Sequence, residues 1–309
     1  METSNFLTLE GVSRDELREV LDLAGAYTNG HLTDALTGKT VCLAFFEPST
    51  RTASSFELAA RRSGADVITL SESGSAISKG ESLVDTVVTL TNLGADAVVI
   101  RHPAAGAAAL AAHHTTAAIV NAGDGRGQHP TQALLDLHAL ANSVGGFDEL
   151  AGRRAAIVGD MLHSRVARSV IPAFQAAGME LALVAPPTLL PLDAAVWGLP
   201  VLDSVDEALE WGAEVLYTLR LQKERMTGAL IPSVAEYTKH FGVAQRHLRP
   251  GVFVMHPGPV NRGVEIAGDV VLDDASLVLR QVASGVAVRA AVLALATGVA
   301  TGVAQEVAV

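Results

Sequence analysis

The apolar positions of this chain follow two alternating rhythms. Short, nearly continuous apolar runs at 41–46, 66–70, 97–101 and 117–121 have the length of buried strands. Stretches with helical spacing lie between them, at 53–63, 82–93, 104–113 and 130–142. An amphipathic helix over 13–29 precedes the series, with Leu17, Val20, Leu21 and Leu23 on one side and Ser13 as its cap. Gly145-Gly146 interrupts the pattern, and a second series begins. Its strands are expected at 154–160, 180–184, 201–202, 214–219 and 252–256, with helices between. A last helix covers about 281–295. Apolar strands alternating with helices predict parallel sheets covered on both faces. The expected fold is therefore α/β: two doubly wound domains, each a parallel sheet flanked by helices. The boundaries expected are 1–141 and 142–283, with a C-terminal helical segment, 284–309, packing back on the first domain.

Composition narrows the picture. A length of 309 residues suits two domains, on a prior of ~150 residues each. Hydrophobic residues at 49% against 18% charged leave room for large cores and argue against disorder. The net charge of -11 disfavours a nucleic-acid surface, which needs many Lys and Arg on one face. Anionic small molecules remain compatible, because a local arginine cluster outweighs the global field at short range. Cys42 is the only cysteine, so no internal disulfide forms, and a reducing, cytoplasmic setting is expected. Residues 1–20 carry acids and no apolar core segment, unlike a signal peptide. The apolar tail over 285–309 is broken by Arg289, glycines and Gln305-Glu306. It lacks the uninterrupted ~20 residues of a membrane span and reads as a packed alanine-rich helix.

The candidate chemistry gathers just after predicted strands, where open α/β sheets bind ligands. Phe46-Glu47-Pro48-Ser49-Thr50-Arg51-Thr52 leaves a strand and enters a helix. Helix-start N–H groups, two hydroxyls and the Arg51 fork together suit a phosphate or another oxyanion. An ordinary serine N-cap is the plain alternative. Arg101-His102-Pro103 follows another strand, placing a second arginine where it can converge on the same anion. Asn121 to Gln132 follows a third strand. Its Gly123–Gly127 part is expected to be a flexible loop, and His129 and Gln132, three apart at a helix start, share one side. Ser75-Ala76-Ile77-Ser78-Lys79 reads by composition as a solvated loop with one lysine.

In the second series, Val158 to Arg165 again runs from strand to helix. Arg165 is a candidate for a bidentate carboxylate contact. Leu219-Arg220-Leu221-Gln222-Lys223-Glu224-Arg225 follows a strand and competes with a simple charged helix start. His256-Pro257-Gly258-Pro259 is a rigid turn after the last strand. A dinucleotide fingerprint is absent, since only Gly159 of Gly-x-Gly-x-x-Gly is present. No metal-ligand spacing, phosphate-binding Gly-x-x-x-x-Gly-Lys loop or serine nucleophile elbow occurs either.

Taken together, the Ser-Thr-Arg-Thr loop, the serine-lysine loop, Arg-His-Pro, His-Pro-Thr-Gln, Arg-x-Gln-Lys-Glu-Arg and His-Pro-x-Pro resemble the aspartate and ornithine carbamoyltransferases, in that family's order and over nearly the whole chain. The His-Pro-x-Pro turn and the arginines resemble the aspartate branch; ornithine enzymes typically carry His-Cys-Leu-Pro. The resemblance implies carbamoyl transfer from carbamoyl phosphate to L-aspartate, an early step of pyrimidine synthesis. It implies that Ser49, Thr50, Arg51 and Thr52 hold the phosphate. Thr52, Arg101 and His129 would contact the carbonyl oxygen, Gln132 the carbamoyl nitrogen, and the backbone of Pro257 and Gly258 the carbamoyl group. Arg165, Arg220 and Gln222 would bind the aspartate carboxylates. Ser75 would reach carbamoyl phosphate, and Lys79 both substrates, from a neighbouring subunit of a homotrimer, itself able to join regulatory chains or a dihydroorotase in a dodecamer. No metal or organic cofactor is implied. Two positions depart from common members: Gly258 where some have leucine, and Leu219 where some have threonine. Transfer to ornithine or another amino acid, and a non-catalytic carbamoyl-phosphate-binding role, are the alternatives. The presence of Lys79, His129 and the arginines counts against the second.

Overall fold

The computed structural model describes residues 4–31, 34–71, 80–226 and 230–299. Two compact units emerge, one made of residues up to 10, 15–135 and 282 onward, the other of 11–14 and 136–281.

The first unit is built on a parallel four-stranded sheet in the order β2-β1-β3-β4. Its strands are β1 (Thr40–Phe45), β2 (Asp66–Ser71), β3 (Ala97–His102) and β4 (Ala118–Asp124). Cys42 and Ala44 of β1 pack with Val98 and Ile100 of β3, Val87 and Leu90 of α3 (Leu83–Asn92), and Ala108 and Ala111 of α4 (Ala107–Ala112). Val41 and Leu43, which point the other way along the pleat, are equally buried. Both faces are therefore covered at β1, β3 and β4, which is why those strands carry no polar alternation, whereas the edge strand β2 leaves Ile68 and Thr69 exposed. Helix α1 (Arg14–Thr28) turns Leu17, Val20 and Leu21 inward, and α2 (Thr50–Arg62) buries Phe56, Ala59 and Ala60. Helix α5 (Pro130–Val144) follows β4.

The second unit holds a parallel five-stranded sheet in the order β7-β6-β5-β8-β9. The strands are β5 (Arg154–Val158), β6 (Glu180–Val184), β7 (Val201–Leu202), β8 (Val215–Thr218) and β9 (Phe253–Met255). Ala156, Val158, Ala182, Val184, Leu216 and Val254 form one side of its core with Val205, Ala208 and Leu209 of α7 (Val205–Glu210). Helices α6 (Arg165–Ala176) and α8 (Val234–Phe241) complete it. The last helix, α9 (Val278–Ala296), is apolar and long enough to cross a membrane by composition, but 67% of its most apolar stretch is buried inside the protein.

Three boundaries differ from the sequence reading in ways that bear on the site. Helix α2 starts at Thr50 rather than 53, so Thr50, Arg51 and Thr52 form its first turn. Strand β4 runs on to Asp124 instead of ending at 121, because its last residues are fixed by side-chain hydrogen bonds. Helix α4 begins only at Ala107, since Gly106 takes a left-handed φ of 81°.

Candidate active site

In the first sheet β1 has β2 on one side and β3 on the other, so the winding reverses between β1 and β3. Ligands of open α/β sheets bind beyond the carboxyl ends of the strands at such a reversal. The loop after β1 carries Glu47 to Ser49, and Arg101 sits near the end of β3. The two are joined. The Phe46 N–H donates to the Arg101 carbonyl at 2.8 Å, and Arg101 Nε lies 3.4 Å from Glu47 Oε2. Arg101 Nη1 also reaches the Ala122 carbonyl near the end of β4, at 3.4 Å. Its guanidinium is thereby held at the mouth of the reversal.

Ser49 is the N-cap residue of α2 and makes no side-chain cap bond. The other serine N-caps do cap: Ser82, Ser164, Ser204 and Ser233 each accept from the backbone N–H three residues on. The Ser49 hydroxyl is thus not spent on its own helix, and the leading N–H groups of α2 face outward with a partial positive charge. Arg51 in that turn is exposed, whereas Thr52 is buried. This geometry suits an anion, and Ser49 does not act as an ordinary side-chain cap.

The stretch after β4 is not the flexible loop expected. Asp124 is 4% exposed and its carboxylate gathers the loop around itself. Oδ1 accepts from Gln128 N–H at 2.7 Å and Asn121 Nδ2 at 3.1 Å, and Oδ2 accepts from Gly106 N–H at 2.6 Å. A side chain at Gly127 would place its Cβ 2.8 Å from that carboxylate, so glycine is required by close approach. The pinned loop delivers His129 and Gln132, both buried, at the start of α5. His102 packs against Phe46, ring centres 5.1 Å apart, and accepts the Ala104 N–H at Nδ1. Burial pushes its pKa down, so it shapes the loop as a neutral ring and adds no positive charge.

The second sheet repeats the plan. Strand β5 lies between β6 and β8, and the winding reverses at β5/β8. After β5, Gly159 takes φ 117°, and a Cβ there would stand 2.7 Å from the Tyr237 hydroxyl. The chain then turns through Asp160 and His163 to Arg165, the buried first residue of α6. After β8 comes Arg220, half-buried, then Gln222. The charged α-helix start considered for 219–225 does not form; there is one 3-10 turn over Lys223–Arg225. The two loops are tied together. His163 Nδ1 is 2.8 Å from Asp160 Oδ1, and Asp160 Oδ2 accepts the Gln222 N–H at 3.2 Å. The His163 carbonyl accepts from Gln222 Nε2 at 3.0 Å and Arg225 Nη1 at 3.2 Å. Gln222 therefore braces the loops twice, through its backbone N–H and its side-chain amide. In the third loop, His256 Nδ1 accepts the Gly258 N–H at 2.8 Å, which folds Pro257 and Gly258 into a tight turn.

Of the residues named from sequence, Ser49, Thr50, Arg51, Thr52, Arg101, His129 and Gln132 belong to the first unit, while Arg165, Arg220, Gln222, Pro257 and Gly258 belong to the second. Ser75 and Lys79 lie outside the described residues. Sequence reasoning missed Glu47, Asp124, Asp160 and His163. Asp124 ends β4, and Glu47 and Asp160 stand two residues past β1 and β5, so position at a strand end was the available signal for these three; His163, five residues past β5, carried no such signal. Among the described residues, no group of three or more His, Cys, Asp or Glu is placed to hold a metal ion.

Comparison with known proteins agrees with this geometry. Residues 4–142 match the carbamoyl-phosphate-binding domain model of the aspartate/ornithine carbamoyltransferases, and residues 151–296 match the aspartate/ornithine-binding domain model. The chain is 76% identical over 290 residues to the aspartate carbamoyltransferase catalytic subunit of Rubrobacter xylanophilus, covering 94% of this chain and 95% of that one. It is 48% identical to the corresponding subunit of Gluconobacter oxydans, covering 92% and 93%. Among solved structures, aspartate transcarbamoylase from Trypanosoma cruzi in complex with carbamoyl aspartate and phosphate superposes with a TM-score of 0.84 at 31% identity, covering 95% and 96%. The catalytic subunit of the M. jannaschii enzyme gives 0.80 at 34%, covering 95% and 97%. The chain belongs to the aspartate/ornithine carbamoyltransferase family.

Proposed function

We propose that this protein transfers the carbamoyl group of carbamoyl phosphate to the amino group of L-aspartate, giving N-carbamoyl-L-aspartate and phosphate. The observation that carries the reading is the uncapped start of α2 at the β1/β3 reversal: Ser49 leaves its hydroxyl, and Arg51 its guanidinium, toward an anion. Ser49, Thr50, Arg51 and Thr52 hold the phosphate. Thr52, Arg101 and His129 donate to the carbonyl oxygen as it gains negative charge, the arrangement that contributes most to acyl transfer. Gln132 and the Pro257 and Gly258 carbonyls orient the carbamoyl nitrogen. Arg165 and Arg220 take the two carboxylates of aspartate, with Gln222 beside them.

The aspartate amine attacks the carbonyl carbon, forming the new C–N bond. The C–O bond to phosphate then breaks, and phosphate leaves with the electron pair. The amine proton departs, with the phosphate dianion as the base at hand. Holding both reactants in attack geometry supplies much of the rate. The scheme calls for no metal or organic cofactor.

Ser75 and Lys79 are proposed to complete a neighbouring subunit's site in a homotrimer. Support for this comes from the family resemblance of the Ser-x-x-x-Lys loop. A cytoplasmic setting, a place in pyrimidine synthesis and possible association with regulatory chains or a dihydroorotase belong to the same proposal. The lone, buried Cys42 supports the first of these.

Steady-state kinetics of single variants test the division of labour. Arg51→Ala is expected to raise the KM for carbamoyl phosphate, and Arg165→Ala and Arg220→Ala the KM for aspartate. A charge-assisted hydrogen bond is worth about 1.5–3 kcal/mol, so each rise is on the order of 10- to 100-fold. Unchanged constants, or effects on the opposite substrate, would overturn the assignment.

A further inference from the structure

Glu265 was not singled out by any motif, yet its carboxylate is buried and hydrogen-bonded through both oxygens. It is 1% exposed and lies just beyond the turn that begins at His256. Oε1 accepts the Leu221 N–H at 2.8 Å and Asn261 Nδ2 at 2.7 Å. Oε2 accepts the Asn261 N–H at 2.8 Å. Every one of these partners is a donor, so only a group that accepts on both oxygens satisfies them all. Leu221 stands between Arg220 and Gln222. Asn261 closes the segment that starts at His256-Pro257-Gly258.

A fourth group faces the same carboxylate. His256 Nδ1 is committed to accepting the Gly258 N–H, which leaves the ring proton on Nε2. That Nε2 lies 3.9 Å from Glu265 Oε2. The imidazole thus shapes the Pro257-Gly258 turn with one nitrogen and turns the other to the glutamate. Burial pushes the Glu265 pKa up, opposed by the N–H donors of Leu221 and Asn261.

We propose that Glu265 is a positioning residue of the transfer reaction: its carboxylate locks the strand-end segment carrying Arg220 and Gln222 to the turn carrying Pro257 and Gly258. It touches neither substrate. It fixes the spacing between the group that receives a dicarboxylate and the carbonyls that receive the carbamoyl nitrogen. This rests on the proposed function and assigns a residue that the family motifs in this chain do not contain. A displacement of about 1 Å in such a constellation can cost on the order of 100-fold in rate.

The test is Glu265→Gln in the full chain, read by aspartate kinetics at saturating carbamoyl phosphate and by direct binding of inorganic phosphate. Glutamine keeps size and shape but turns an N–H₂ onto an N–H donor. The expected result is a KM for aspartate raised about 10-fold or more, with the phosphate dissociation constant within about twofold of wild type. A residue that only stabilises the fold would reduce the amount of active protein and leave KM alone. If that variant does not fold, Asn261→Asp sets a second carboxylate against Glu265 and is expected to give the same split. An unchanged aspartate KM, or an equal loss of phosphate binding, overturns the inference. A wild-type protein that makes no carbamoyl aspartate overturns the proposed function and this role with it, and is told apart from failure of the inference alone because it shows before any substitution is made.

Discussion

Ser49 and Ser233 occupy the same position at the start of two helices and do different things. Ser233 accepts the Glu236 N–H at 3.0 Å, whereas Ser49 caps nothing. Ser233→Ala is therefore expected to cost about 1 kcal/mol of unfolding free energy with little change in turnover. Ser49→Ala is expected to leave stability within about 0.5 kcal/mol while weakening phosphate binding by on the order of 10-fold. Urea denaturation and phosphate titration check the pair, and a stability loss at Ser49 would mean that it caps after all. The sequence could name Ser49, Thr50 and Arg51 because strand, turn and helix start are local features. It could not name Glu47 as the partner of Arg101, since that pairing arises only when β1 and β3 lie side by side with Phe45 opposite Arg101.

Loops after strands carry the candidate residues in both sheets, and their order comes from buried acceptors more than from loop composition. The segment over 123–127 shows this. Its glycines read as flexibility, but Gly127 lets the backbone close on the Asp124 carboxylate and Gly125 lets it pass the backbone of Pro103 and Ala105. Asp124→Ala would leave the N–H groups of Gly106 and Gln128 and the Asn121 amide without that acceptor. It is expected to cost about 3 kcal/mol and to lower kcat through misplacement of His129. Urea denaturation measures the first effect; a loss under about 1 kcal/mol would mean that the loop holds itself. Strand and helix identities were legible from apolar periodicity, because parallel strands buried on both faces must be apolar throughout. The order of strands was not. Only the order places the candidate arginines at a reversal in each sheet, and order depends on pairing between distant segments.

The molecule as a whole should lose stability in acid through its buried and half-buried histidines. Burial pushes His102, His138 and His247 below their usual value of 6.5. Each folded-state pKa is depressed, so the unfolded chain takes up protons first. Their contribution is complete above pH 6.5 and is lost as pH falls through the lowered folded values. The thermal midpoint is expected to drop below that pH, and His138→Gln to flatten the drop; an unchanged slope would assign the acid loss to other groups. Assembly has its own test. Lys79→Ala and Arg51→Ala chains, each impaired alone at low carbamoyl phosphate, should regain activity when subunits are exchanged if sites are shared in a trimer. No recovery after demonstrated exchange would remove the shared-site proposal. The most direct measurement is product identity. Purified protein, carbamoyl phosphate and either L-aspartate or L-ornithine are incubated without added metal, and the products are separated. The account predicts N-carbamoyl-L-aspartate and phosphate from aspartate, and no citrulline from ornithine. Citrulline would keep the phosphate site but contradict the roles given to Arg165 and Arg220, and the absence of both products from folded protein would contradict the transferase itself.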